Sequence, residues 1–463
     1  MQLPNIIYTI SKDLKEQSAK AIVVGGSVRD YFLELPIKDY DIEVYGLACM
    51  EELEVILAQY GSVNLVGKSF GVLKFIYKGE EYDFSFPRIE EKIASGHRGF
   101  EVFIDGEMSF KEASKRRDFT INAMGYDIER GVFLDPYNGQ EDIELGILRH
   151  IDDETFIEDP LRLYRAVQFS ARFNYGLAEE TFELCRSMVA NGMLDELPKE
   201  RIYMEFKKLL LKSTRPSIGF ELMRELDMLY YFPELKSIIA VPQTPKWHPE
   251  GDVWVHTMMA VDKMVNFLGE DRRENLRYML AILCHDLGKA TTTKIEKDGR
   301  IRSIGHEIAG LKPTKQFLYR LTNEHTFIAS ILPLVEHHLK PSQFYHNQAS
   351  DRAFRKLATK VKIEELVKVA RADFLGRTTP EALAEVYKAG DWMLEKAEAL
   401  DVSKKPLKAL IKGQDLIKMG LKPSSKFKDI LKKVYILQLE GNISKKEEAL
   451  EYIRVNYLEY EHE

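Results

Sequence analysis

The sequence predicts an α+β chain, with a small mixed sheet and flanking helices over residues 1–135 followed by helices to the C-terminal end. Three observations lead there. Short apolar strands such as IVV, and alternating ones such as EEYDFSF, interleave with helix-patterned segments in the first 135 residues. A cluster of turn residues, DPYNGQEDI at 135–143, then marks a boundary. Beyond it the apolar residues recur with the 3.6-residue period of helices, as in RLYRAVQFSARF and RIYMEFKKLLL. A length of 463 residues exceeds one core and suggests several domains. The divisions expected are 1–135, 136–240, 241–380 and a helical tail 381–463.

The first informative element is IVVGGSVRDYFLELPIKDYDIE, residues 22–43. An apolar strand ends in Gly25-Gly26, and a helix-like segment carries Arg29. Glycines at a strand-to-helix turn let backbone N–H groups approach a phosphate where the helix dipole already favours an anion. Arg29 is placed to pair with the same phosphate through a forked guanidinium. On the next strand Asp39 and Asp41 are two apart and share a face, while Tyr40 and Ile42 turn away. Paired carboxylates repel unless a cation lies between them, and the natural one is Mg²⁺ carrying substrate phosphates. Asp83, in EEYDFSF, is the candidate third carboxylate. In EDPLRLYR, residues 158–165, Pro160 suits a first helical turn and Asp159 an N-cap. Asp159 and Arg162, three apart on one face, set an acceptor beside a forked donor, an edge able to hydrogen-bond a base.

These residues, in this order, resemble the nucleotidyltransferase superfamily whose bacterial members add CCA to the 3′ end of tRNA. GG-x-VRD followed by D-x-D matches that family's head. KRRDFTINAM (115–124), EDPLRLYR and LPKERIYMEFKKLL (197–210) resemble three further family elements. The resemblance implies a polymerase-β-like head, an all-α body, and Mg²⁺ held by Asp39, Asp41 and Asp83. It also implies a nucleotide site of Gly25, Gly26, Arg29, Arg117, Asp118, Asp159, Arg162 and Arg165, in which Asp159 and Arg162 select CTP and ATP. Many members carry another Arg where this chain has Gln168. Residues 89–110 are rich in charge and glycine and match the place of the loop that family members move between C and A addition. Bacterial poly(A) polymerases share the head but carry a doubled basic pair before a Phe. This chain reads VGKSFGV there, with Ser69 after Lys68, which favours tRNA as partner.

The C-terminal half carries a second constellation. Eight of the eleven histidines fall between His248 and His346, after the proline-rich linker VPQTPKWHPEGD. HPEGDVWVHTMM, LAILCHDLGKA, SIGHEIAG, LVEHHL and ARADFLGR resemble in order the HD-domain metal phosphohydrolases. By that resemblance His256, His285, Asp286 and Asp373 bind a divalent transition metal or Mg²⁺, with His306 and His338 lining the site. Imidazole and carboxylate donors suit such an ion.

Composition sets the remaining bounds. The chain has 66 basic and 73 acidic residues, a formal −7, so no overall basic field marks a nucleic-acid partner. Locally, ten Lys against three Asp lie between Asp401 and Lys433, a patch suited to an acceptor stem. No apolar run is long enough for a membrane span, and the N-terminus lacks a signal-peptide pattern, so a cytoplasmic protein is expected. Cys49, Cys185 and Cys284 are too scattered for a disulfide framework or a zinc-thiolate site. Three functions stay open: CCA addition to tRNA with ATP and CTP, with A-only or CC-only variants; poly(A) synthesis; and a phosphohydrolase with an N-terminal half that only binds RNA.

Overall fold

The computed structural model describes residues 1–64, 71–92, 100–104 and 108–458, of which 88–92 and 100–104 are described in their backbone. Lys68 and Ser69, and 93–99 with 105–107 of the 89–110 segment, lie outside the described residues. The chain forms two compact units, Met1–Tyr231 and Phe232–Glu463.

The first unit opens with helix α1 (Asn5–Glu16), which lays Ile6, Ile7, Ile10 and Leu14 against a sheet. That sheet holds β1 (Lys20–Val24), β2 (Tyr40–Tyr45), β3 (Ser62–Asn64), β4 (Val72–Tyr77) and β5 (Glu80–Ser85). The short ladder β6 (Arg88–Lys92) with β7 (Phe100–Ile104) stands apart from it, and β8 (Gly125–Asp127) and β9 (Val132–Leu134) complete the sheet. The strand order is β3-β4-β5-β2-β1-β8-β9. Only β2 and β5 pair in parallel, so the sheet is mixed, as the sequence predicts. β1 reads as an unbroken apolar run because it is covered on both faces. Val23 enters the core under α1, and Ile22 and Val24 enter a second cluster with Met108, Phe110 and Ala113.

Helix α2 (Gly26–Phe32) follows β1 directly, and α3 (Met50–Ala58) follows β2. After α4 (Phe110–Lys115) and α5 (Gly139–Leu145) the unit becomes helical, through α6 (Asp153–Glu158), α7 (Leu161–Phe173), α8 (Glu179–Ala190), α9 (Lys199–Lys212) and α10 (Pro216–Glu225). The turn cluster DPYNGQEDI is the entry to α5: Asp135 accepts from the backbone N–H of Gly139 at 2.7 Å and of Gln140 at 2.9 Å. Helix α10 crosses α7 and α9 closely. A Cβ on Gly219 would lie 2.6 Å from Leu209 Cδ1 and 2.9 Å from the Val167 carbonyl oxygen, so only glycine fits there.

The second unit is helical apart from a small hairpin, Thr293–Ile295 with Ile301–Ser303, which the sequence pattern does not announce. Helices Val253–Met264, Arg272–Cys284, His325–His337 and Ile363–Leu375 pack together. Arg272–Cys284 is buried from Tyr278 to its end, as LAILC predicts. The tail helices Gly413–Lys418, Lys426–Glu440 and Lys446–Ile453 share a separate core around Ile411, Leu416, Ile430, Val434 and Ile453. No helix of the described residues is long and apolar enough to cross a membrane.

Candidate active sites

The strand-to-helix turn forms where the sequence places it. Gly25 adopts φ 70° and ψ −126°, a backbone conformation open to glycine. A Cβ on it would lie 2.6 Å from Arg117 Nη1, so the guanidinium of Arg117 rests against this turn. Gly26 starts α2, and Ser27 ties that helix to the entry of β2 by donating from Oγ to the Asp39 carbonyl at 2.9 Å.

Asp39 stands just before β2 and Asp41 within it, both exposed, while Ile42 turns into the core. Because β2 and β5 run parallel, Asp41 and Asp83 are register neighbours, and Asp39, two residues before Asp41, adds repulsion to both, although the three oxygens are not drawn within 4.8 Å of one another as the ligand groups of the second unit are. Asp41 titrates above the ordinary carboxylate range: burial raises it, Arg117 opposes, and Asp83, Asp39 and Glu43 add repulsion. Asp83 is also raised, by burial first, with Lys74 opposing and Glu81 and Asp39 adding to it. Lys74 Nζ is 3.9 Å from Asp83 Oδ1, and that oxygen is buried without a hydrogen-bond partner. Mutually repelling carboxylates with an unsatisfied oxygen suit a hard cation.

Arg29 is placed differently from the open, phosphate-facing position the sequence suggests. It is buried, donates to Asn122 Oδ1 at 2.6 Å and to Asp30 Oδ1 at 2.6 and 2.9 Å, and lies over Phe169 and Phe173. Asp118 is buried, accepting from the Phe119 N–H at 2.9 Å, from Asn122 at 2.8 Å and from Arg165 Nε at 2.6 Å. Burial pushes its pKa up, but Arg165 and Asn122 prevail and hold it low. Asp159 lies one residue outside the expected cap: Pro160 is the N-cap residue of α7, yet the Asp159 carboxylate still accepts from the Leu161 N–H at 3.2 Å. Its other oxygen accepts from Arg201 of α9 at 2.9 Å. Arg162 donates to the Thr155 carbonyl at 2.9 Å and to the Arg116 carbonyl. Gln168 is buried, its Nε2 without a hydrogen-bond partner.

Three residues here escape the sequence reading. Glu43, 1% exposed, accepts from Arg116 at 2.9 Å, Arg117 at 3.0 Å and Tyr45 at 2.9 Å. Burial raises its pKa, but the two guanidinium groups outweigh that and lower it. Its signal is the alternation itself, since Asp39, Asp41 and Glu43 are each two apart. Arg116 and Arg201 have no comparable signal, because their partners are remote in sequence.

In the second unit all six sequence-predicted residues converge. His256, His285 and Asp373 form one group, and Asp286, His306 and His338 another, each with donor atoms within 4.8 Å of one another. His256 Nε2 is 3.1 Å from Asp373 Oδ1, and His306 Nε2 is 3.3 Å from Asp286 Oδ1. The rings are oriented from behind: His285 Nδ1 meets the Ile282 carbonyl, His306 Nδ1 the Ser303 carbonyl and His338 Nδ1 the Val335 carbonyl, each at 2.7 Å. Their Nε2 atoms therefore face one another. His285 Nε2 lies 3.2 Å from Asp286 Oδ2 yet off its hydrogen-bonding direction, buried and unsatisfied. Gly288 permits the close return of the chain, since a Cβ there would lie 2.0 Å from the His306 carbonyl oxygen.

The sequence reading omits the supporting groups. Glu250 Oε1 is 2.9 Å from both His248 and His256 Nδ1, Lys289 Nζ is 2.7 Å from Asp286, and Arg377 donates to Asp373 at 3.1 Å. Burial would raise Asp286 and Asp373, but His285 with Lys289, and Arg377 with His256, hold them well below the usual range. Burial pushes His338 down to about 3, aided by His285 and His306, which keeps its imidazole neutral as a metal ligand must be. The donor set and the unsatisfied nitrogen fit a divalent ion.

Comparison with known proteins covers both halves of the chain. Family models match in order: a poly A polymerase head domain at residues 21–149, a probable RNA- and SrmB-binding site of polymerase A at 174–239, and an HD domain at 253–377. The multifunctional CCA protein of Nitrosospira multiformis is 34% identical over 389 residues, 82% of this chain and 88% of that one. Its counterpart from Neisseria meningitidis serogroup B is 39% identical over 300 residues, 65% of this chain and 67% of that one. Among solved structures, the Bacillus stearothermophilus CCA-adding enzyme in complex with CTP aligns over 100% of this chain and 99% of its own, with a TM-score of 0.67 at 21% identity. The Thermotoga maritima CCA-adding enzyme complexed with tRNA covers 97% and 94%, with a TM-score of 0.60 at 21% identity. These two likenesses concern the fold.

Proposed function

This chain belongs to the family of the multifunctional CCA proteins, and on that footing we propose that it adds CMP and AMP to the 3′ end of tRNA from CTP and ATP, acting in the cytoplasm. The observation that carries the reading is the register pairing of Asp41 with Asp83 on neighbouring strands, with Asp39 at the entry of the first, beside the Gly25 turn and Arg117. Asp39, Asp41 and Asp83 would hold Mg²⁺, which would supply the positive charge that lowers the pKa of a tRNA 3′-hydroxyl and steadies a triphosphate. The hydroxyl gives up its proton to water as its oxygen forms a bond to the α-phosphorus, the bond from that phosphorus to the α–β bridging oxygen breaks, and pyrophosphate leaves with the electron pair. Gly25, Gly26 and Arg117 orient the phosphates. Arg29 braces the turn from behind, and Asp118 with Arg165 fixes the strand-proximal loop to α7. Asp159 and Arg162 present the base-reading edge, with Arg201 holding Asp159 from α9. In the four-part division, residues 1–135 carry the chemistry and 136–240 select the nucleotide. Residues 241–380 hold the metal-binding HD site, and the lysines of 381–463 follow tRNA phosphates.

A second activity rests on the two ligand groups of the other unit. His256, His285, Asp286 and Asp373, with His306 and His338, are proposed to hold a divalent transition metal or Mg²⁺ and hydrolyse a phosphoester.

The test is incorporation of labelled CTP and ATP, separately and together, into tRNA transcripts ending at the discriminator base, after C, or after CC. An Asp39→Ala/Asp41→Ala variant serves as control. Ordered addition stopping at three nucleotides, and lost in the control, supports the proposal. A-only addition to the CC end narrows it to an A-adding enzyme. A long A tail on unrelated RNA identifies a poly(A) polymerase, and absence of incorporation leaves the HD site as the activity.

A further inference from the structure

We infer that Glu43 is a positioning residue serving the triphosphate and the base together: its buried carboxylate holds Arg117 against the Gly25 turn and Arg116 behind Arg162. The inference rests on the nucleotidyl-transfer reading above. Strand alternation puts Glu43 on the face of Asp39 and Asp41, one step further into the sheet. At 1% exposure a carboxylate is retained only if its oxygens are fully engaged. They are: one oxygen accepts from Arg116 at 2.9 Å and Arg117 at 3.0 Å, the other from the Tyr45 hydroxyl at 2.9 Å.

One anion between two cations leaves a surplus positive charge within this trio, which Asp41 beside it balances until a cation is bound there. That surplus lies beside Asp41 and the Gly25 turn, because Arg117 Nη1 reaches within 2.6 Å of where a Gly25 Cβ would stand, and Arg117 Nε is buried without a hydrogen-bond partner. A triphosphate approaching the turn meets this charge. The second arm runs through the backbone. Arg162 Nη2 donates to the carbonyl of Arg116, so the side chain that pins Arg116 also fixes the seat of the base-reading guanidinium. A buried ion cluster with only a structural role has no need to join the metal strand, the phosphate turn and the base-reading helix.

The experiment compares Glu43→Gln, which keeps the shape and removes the charge, with Glu43→Asp, which keeps the charge and withdraws it by one methylene. KM and kcat per titrated active site are measured for CTP on tRNA ending after the first C, and for ATP on tRNA ending in CC. Wild-type protein and the Asp39→Ala/Asp41→Ala variant run alongside. KM for both nucleotides is expected to rise about tenfold or more in each variant, with kcat per active site changing less than about threefold, the pattern of lost ground-state grip. Unchanged KM values, with only a smaller active fraction or a lower melting temperature, would reduce Glu43 to a core ion pair and overturn the inference. If Glu43→Gln fails to fold, Glu43→Asp decides by the same criterion. A wild-type protein that adds no nucleotide overturns the nucleotidyl-transfer reading itself, an outcome distinct from an active enzyme indifferent to Glu43.

Discussion

Replacing Gly25 by Ala adds one methyl group at the point where backbone strain and the guanidinium of Arg117, proposed to orient the triphosphate, meet. With φ 70° and ψ −126°, Gly25 occupies a region that costs a residue with a Cβ about 1–3 kcal/mol. The added carbon would stand 2.6 Å from Arg117 Nη1, against an ordinary contact of about 3.4 Å, so the guanidinium must withdraw by about 0.8 Å. Arg117 can move, but only by loosening its 3.0 Å bond to Glu43 or by leaving the turn. Losing a hydrogen bond from a charged donor to the triphosphate costs about 1.5–3 kcal/mol, which raises KM for CTP and ATP roughly tenfold to a hundredfold. The backbone term lowers the melting temperature by a few degrees up to about ten. The assay is steady-state nucleotide addition to tRNA ending in CC, with melting followed in parallel. A double-mutant cycle isolates the route: if the methyl acts through Arg117, adding Arg117→Ala to Gly25→Ala costs little beyond either change alone. Additive losses, or a Gly25→Ala protein with wild-type KM and melting temperature, would refute the reasoning.

Asp286→Asn removes the charge shared by His285, His306 and Lys289. Divalent-ion binding by calorimetry is expected to weaken at least tenfold and hydrolysis of a model phosphodiester to disappear, with nucleotide addition to tRNA retained. Gly219→Ala drives a Cβ into Leu209 and the Val167 carbonyl, and is expected to destabilise the helical half of the first unit by about 1–3 kcal/mol in denaturant melts. Because Glu43 titrates below its unfolded value, its stabilisation is fully present above the unfolded pKa of about 4.3 and is lost as pH falls through the lowered folded value. Acid-unfolding curves of wild-type and Glu43→Gln protein should therefore be furthest apart above about pH 4.3, approach one another below it, and converge only below the lowered folded value.

The parts of this fold that the sequence makes legible are those set by neighbours in the chain. Gly25-Gly26 specifies a turn because the backbone requirement is local, and Asp39 and Asp41 fall on one side because strands alternate. LAILCHDLGK predicts a buried helix that stops at the His285-Asp286 pair, and the helix does end at Cys284 with His285 as its cap. What the chain does not reveal locally is which charges become partners in space. Arg29 reads as a phosphate ligand next to a glycine turn, but burial against Phe169 and Phe173, 140 and more residues away, gives it Asn122 and Asp30 as partners instead. Asp159 reads as half of a base-pairing edge, and only the packing of α9 beside α7 reveals that Arg201 holds it. Glu43 lies between these cases. Its place on the carboxylate face follows from counting by two, while its burial and its paired arginines follow from β2 lying between β1 and β5. A strand at the centre of a sheet leaves Asp39 and Asp41 at its exposed end and turns the next residue on that face, Glu43, inward. The same alternation thus yields two exposed carboxylates, proposed as ligands for a cation, and one buried anchor for the arginines around it, and environment alone separates them.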